Sequence, residues 1–177
     1  MSEARLIHSL NVEREARALA EHWGIDAERA ALAGLLHDCA KGLSLAQMQG
    51  LALAGNLWLD KETWDSRTLI HAPVGAYLAG CDWGVDDPEI LDAIRWHTTG
   101  RPGMSVLEKI IYLADMTEPA RAPFGSLQAI RAAVWDDLDR AMLLALRDSV
   151  AYVRKSNHSL HTHTLEALRW FEKQQEK

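Results

Sequence analysis

The chain predicts an all-α fold, and three features of its sequence predict it. Apolar residues recur every three or four positions along most of the chain. Helix-start signals are frequent: Ser-x-x-Gln at Ser44, Ser-x-x-Glu at Ser105, and Asp87 followed by Pro88. No alternating stretch rich in valine or isoleucine reads as a strand.

The first helix is expected over residues 6–23, where Leu6, Leu10, Ala16, Leu19, Ala20 and Trp23 sit close to helical spacing. "WGID" breaks it, and Asp26 caps a second helix expected to run to Gly42. Ser44 opens a third. Residues 55–67 are less regular and read as a loop with room for a short helix, a suitable place for a mobile cover. "HAPVGAYLAG" starts another helix, with Pro73 in its first turn, where proline is tolerated. "DDPEILDAIRWH" starts a further one from Asp87. "TTGRPGM" is a loop, and Ser105 caps "KIIYLADMTE". "SLQAIRAAVW" and "DDLDRAMLLALRDSVAYVRKS" follow as helices. "NHSLHTH" interrupts the pattern, and an amphipathic helix is expected from about residue 164. There is no internal linker or repeat, so residues 1–177 read as one domain.

Composition narrows the class. Of 177 residues, 48% are hydrophobic and 25% charged, ordinary for a globular protein. A net charge of −6 argues against binding polymeric nucleic acid, which needs a basic patch. No apolar run is long enough to span a bilayer, so no membrane partner is expected. The N-terminal stretch lacks the pattern of a secretory signal, and two cysteines are too few for a disulfide framework; a cytoplasmic protein is expected.

The polar residues within apolar helices need an explanation. "AERAALAGLLHDCAKG" places His37 and Asp38 next to a face of alanine and leucine. His8, His71 and His97 lie in similar settings, and Asp115 follows "KIIYLA" in the middle of a capped helix. A buried carboxylate is costly unless paired, hydrogen-bonded or metal-bound. Four histidines and two aspartates are hard to satisfy pairwise, whereas a metal site satisfies all six. Imidazole and carboxylate suit zinc, iron, manganese and similar ions, and clustered thiolates are absent. Neighbours on a helix project about 100° apart. His37 and Asp38 therefore straddle two ions more easily than they share one, and the carboxylate of Asp38 can bridge. His158, His161 and His163 form a weaker, polar tract of the kind that also binds metal.

The strings "HDCAKG", "HAPVGAYLAG", "AIRWHTTGRPGM" and "LEKIIYLADMTEPAR", in that order, closely resemble the YqeK-like branch of the HD-domain metal-dependent phosphohydrolases. The likeness covers nearly the whole chain. Where this branch usually carries an aromatic residue after the His-Asp pair, Cys39 stands here. The resemblance implies a helical HD bundle with a metal site between core helices. It also implies symmetric hydrolysis of diadenosine tetraphosphate to two ADP by a metal-activated hydroxide. His8, His37 and Asp115 would hold one divalent ion, His71 and His97 a second, and Asp38 would bridge. Iron is the metal implied first, with manganese, cobalt or zinc also compatible.

Given that chemistry, fixed cations near the leaving oxygen should help. Lys41, Arg101 and Arg121 are the candidates. Thr98, Thr99 and Gly100, with Arg101, are candidates for binding the phosphates. Most of the seven tryptophans are expected in the core, with Trp58, Trp64 or Trp96 available to stack on adenine. The terminal helix has an apolar face for its own domain or for a second copy in a homodimer. Other readings stay open: a phosphatase for another nucleotide, a nucleotide-binding regulatory module, or a plain helical interaction domain.

Overall fold

The computed structural model describes residues 2–155 and 160–175, so His158 of the polar tract lies outside the described residues. Among them the only regular elements are helices: α1 Glu3–Trp23, α2 Ala27–Leu36, α3 Leu45–Ala54, α4 Lys61–Asp65, α5 Arg67–Trp83, α6 Pro88–Trp96, α7 Val106–Thr117, α8 Leu127–Ala133, α9 Leu138–Lys155 and α10 Thr162–Gln175. None is long and apolar enough to cross a membrane.

The expected caps form. Asp26 accepts the backbone N–H groups of Glu28 and Arg29, and Asp87 accepts those of Glu89 and Ile90 ahead of Pro88. Ser44 with Gln47, and Ser105 with Glu108, make reciprocal capping boxes. Gly24 ends α1 in the left-handed region at φ 68°, which a side chain would strain.

Three expectations need correction. The second helix stops at Leu36 and not at Gly42. Beyond it the chain tightens into i→i+3 bonds, Cys39 N–H to Leu36 O and Lys41 N–H to Asp38 O, both 3.0 Å. His37 and Asp38 thus occupy a turn at the helix end. The helix holding His71 begins at Arg67, four residues early, so Pro73 lies inside it and not in its first turn. The backbone bond lost there is the one Pro73 would have donated to Leu69. The tryptophans are not core: none of the seven is fully buried, and Trp58, Trp83 and Trp135 are exposed.

The main core joins α1, α2, α6, α7, α9 and α10 around Leu19, Ile94, Leu107, Ile110, Leu113, Met142 and Phe171. A smaller cluster of Met48, Ala52, Ile70 and Val74 joins α3 to α5. In sequence order α6 packs between α5 and α7, and α1 packs on α2 and α7. That arrangement brings the N-terminal parts of α1 and α5, the end of α2, the end of α6 and the last turns of α7 to one place.

Candidate metal centre

That place is a cluster of six polar side chains from five segments. His37, Asp38, His71 and His97 are buried; His8 and Asp115 are partly exposed. Donor atoms of His8, His37 and Asp38 lie within 4.8 Å of one another. So do those of Asp38, His71 and His97, and those of His37, His97 and Asp115. Asp38 is central: its Oδ2 is 3.5 Å from His37 Nε2 and 3.8 Å from His8 Nε2, and its Oδ1 is 3.2 Å from His71 Nε2 and 3.6 Å from His97 Nε2.

Neighbouring groups fix the rings. His37 Nδ1–H donates to Gly34 O at 2.6 Å, and His97 Nδ1–H to Ile94 O at 2.7 Å. Each therefore turns an Nε2 lone pair inward. His8 Nδ1 meets Glu118 Oε1 at 3.3 Å, which leaves its Nε2 facing Asp115 Oδ1 at 3.0 Å. Glu118 is itself held by Asn11 at 3.1 Å and by the backbone N–H of Ala120 at 2.7 Å.

This donor set fits a cation. His8 Nε2, His37 Nε2 and Asp38 Oδ1 are buried atoms with no hydrogen-bond partner of good geometry. His71 Nε2 and His97 Nε2 converge at 3.1 Å. Buried polar atoms left unpaired in this way are costly without a ligand between them. Burial drives the His37 imidazole down to about 4, against the pull of Asp115, so it is neutral and able to donate its lone pair at neutral pH. Burial pushes the Asp38 carboxyl up, but His71, His97 and His37 outweigh it and hold it well below the usual range. Asp115 follows the same balance, with burial opposed by His8 and His37. The Asp115 carboxylate in turn raises His8 against burial.

Lys41 Nζ reaches Asp38 Oδ2 at 2.8 Å, and Arg121 Nη1 reaches Asp115 Oδ1 at 3.4 Å. Both cations thus stand at the rim of the cluster. Arg101 does not pair with it: its guanidinium binds Glu108 at 2.6 Å and Asp92 at 3.2 Å, over the Trp96 ring. Gly100 has φ 64° and is packed inward, where a Cβ would stand 3.4 Å from Met104 Sδ. Its role is the turn after α6. Thr98 and Thr99 follow His97 and line a cavity of about 380 Å³ walled also by Leu57, Trp58, Leu59 and Trp96. A second cavity of about 230 Å³ opens on Asp38, Cys39, Gly42 and Arg5. Arg5 was not among the sequence candidates. It precedes His8 by three positions on α1, so helical spacing could have found it. Glu118 had no such signal.

An all-helical bundle with histidines and aspartates gathered at the ends and middles of its helices is the frame of a metal-dependent hydrolase family. The sequence profile of the HD domain matches residues 5–120, and the chain belongs to the HD-domain family. Within it, the chain is 38% identical to a Bacillus subtilis protein named symmetrical bis(5'-nucleosyl)-tetraphosphatase, over 96% of this chain and 90% of that one. A Staphylococcus aureus protein of the same name is 32% identical over 97% and 88%. A crystal structure from Clostridium acetobutylicum, described as a predicted HD superfamily hydrolase involved in NAD metabolism, superposes with TM-score 0.94 at 38% identity, covering 98% of this chain and 92% of that one.

Proposed function

We propose that this chain is a metal-dependent phosphohydrolase that cleaves diadenosine tetraphosphate symmetrically into two ADP. The observation that carries the reading is the position of Asp38, shared between the imidazoles of His8 and His37 on one side and of His71 and His97 on the other. The relatives matched over most of both chains, named for symmetrical tetraphosphate cleavage, support the substrate.

Two divalent cations are proposed, one with His8, His37 and Asp115, one with His71 and His97, and Asp38 between them. Iron is the first candidate. Bound there, the cations would polarise phosphate oxygens and lower the pKa of a water. The chain's own residues do the rest. Gly34 O, Ile94 O and Glu118 hold three rings so that their lone pairs stay aimed inward. Water attacks one of the two inner phosphorus atoms, the bridging P–O bond between those phosphates breaks, and the leaving ADP carries the electron pair. Lys41 and Arg121 stand beside Asp38 and Asp115, where they can meet the charge growing on that oxygen. Thr98 and Thr99 lead from His97 into the 380 Å³ cavity, which is the proposed seat of one nucleoside end.

Anion-exchange analysis of products tests the reading. Purified protein with diadenosine tetraphosphate and added Fe(II), Mn(II) or Co(II) is expected to yield ADP alone, and only with metal. AMP plus ATP would overturn the attack position. No turnover with any of the three ions would shift the reading to another nucleotide.

A further inference from the structure

His161 takes no part in the metal centre, yet it is buried and both of its nitrogens are engaged. It precedes α10, and its carbonyl accepts the N–H of Leu165. Its Nδ1 accepts the backbone N–H of His163 at 3.2 Å, so the ring proton sits on Nε2. Nε2 faces both oxygens of Asp60, at 3.2 and 3.3 Å, and Thr63 Oγ1 at 3.0 Å. Asp60 caps α4, accepting the Thr63 N–H at 2.8 Å and its hydroxyl at 3.0 Å. Asp60, Glu62 and His161 have the donor types of a cation site. The proton on Nε2 makes the cluster a clamp instead, joining positions 101 residues apart in the chain.

The clamp has a clear object. α4 has five residues, too few to be stable alone. The segment before it, residues 57–60, has no regular structure and presents Trp58, 91% exposed, at the edge of the 380 Å³ cavity. Asp60, Thr63, His161 and His163 line the same cavity. On the other side α4 leans on α5, and Gln49 reaches Trp64 O.

We propose that His161 is a positioning residue: by clamping Asp60 it fixes the 56–65 segment as a wall of the cavity beside His97, and so sets how tightly the nucleoside end of the substrate is held. This rests on the dinucleotide reading above. Two measurements test it. Amide hydrogen exchange of residues 57–65, on protein without substrate, should quicken by about tenfold in His161→Ala, the size of one hydrogen bond to a charged group. KM for diadenosine tetraphosphate should rise by a similar factor, with metal content unchanged. His161→Gln, which keeps an N–H donor toward Asp60, should recover most of both effects. Because the two residues act as one clamp, His161→Ala combined with Asp60→Asn should raise KM no further than either alone. Unchanged exchange, an unchanged KM, or a double variant showing the product of the two single effects would each overturn the proposal. If the wild-type protein does not cleave diadenosine tetraphosphate, the substrate reading fails and the nucleoside role of the clamp fails with it, while the exchange data still decide whether the clamp holds the segment.

Discussion

His37 and Asp38 are chain neighbours that serve one site by different means. His37 is oriented by a carbonyl one helical turn back, and Asp38 by imidazoles from three other segments. The six candidate ligands were legible because each is a polar residue in an apolar setting. Their supports were not, because Glu118 reaches His8 across 110 positions and nothing local marks that contact. Replacing Glu118 by Gln should weaken metal binding about 10- to 100-fold, the usual effect of removing a carboxylate that orients a histidine ligand, as read by calorimetric titration of Mn(II). The two thiols should also differ. Burial pushes Cys39 up to about 12, and its Sγ–H points to Gly75 O, whereas Cys81 is exposed. Iodoacetamide at pH 8 should label Cys81 well before Cys39, as read by mass spectrometry. At Asp60, burial raises the carboxyl, but the Thr63 N–H, its hydroxyl and His161 outweigh it and hold the group below its ordinary 3.8. A depressed carboxylate stabilises the fold above its unfolded pKa and loses that contribution as pH falls through the native value. The Tm gap between wild type and Asp60→Asn should therefore be full above about pH 4 and close below it.

At the scale of elements, helix starts were easier to read than helix ends. Ser44, Ser105, Asp26 and Asp87 announce themselves through side chains that bond the first turn. The end of α2 has no such signature, since the turns over residues 37–42 carry the same residue types as a helix. Tryptophan misled for a different reason. Its size suggests a core, but its indole N–H needs a partner, as Trp23 finds in Val134 O at 2.8 Å, and this favours the margin of the bundle. The backbones of α1 and α2 approach closely at Gly34. A Cβ on Gly34 would stand 3.1 Å from Val12 O and 3.2 Å from Ala16 Cβ. Gly34→Ala should cost about 1–3 kcal/mol in urea unfolding, as overpacking does, and should also lower metal affinity because Gly34 O orients His37.

The whole molecule is organised so that one small cluster draws on α1, α5, α6, α7 and the turn after α2. A ligand that binds all five in the folded state stabilises the fold by mass action. Mn(II) at about 100 times Kd should add roughly 2.7 kcal/mol for each site it fills, seen as a rise in Tm that a chelator reverses. Asp38→Ala should reduce that rise and abolish turnover while leaving the helical circular dichroism signal largely intact. The most direct measurement is the metal content of protein reconstituted anaerobically with Fe(II), determined by mass spectrometry for wild type and Asp38→Ala side by side. If Asp38 bridges two ions as proposed, about two ions per wild-type chain are expected, and at least one should be lost in the variant. One ion per chain, or two that survive the substitution, would contradict it.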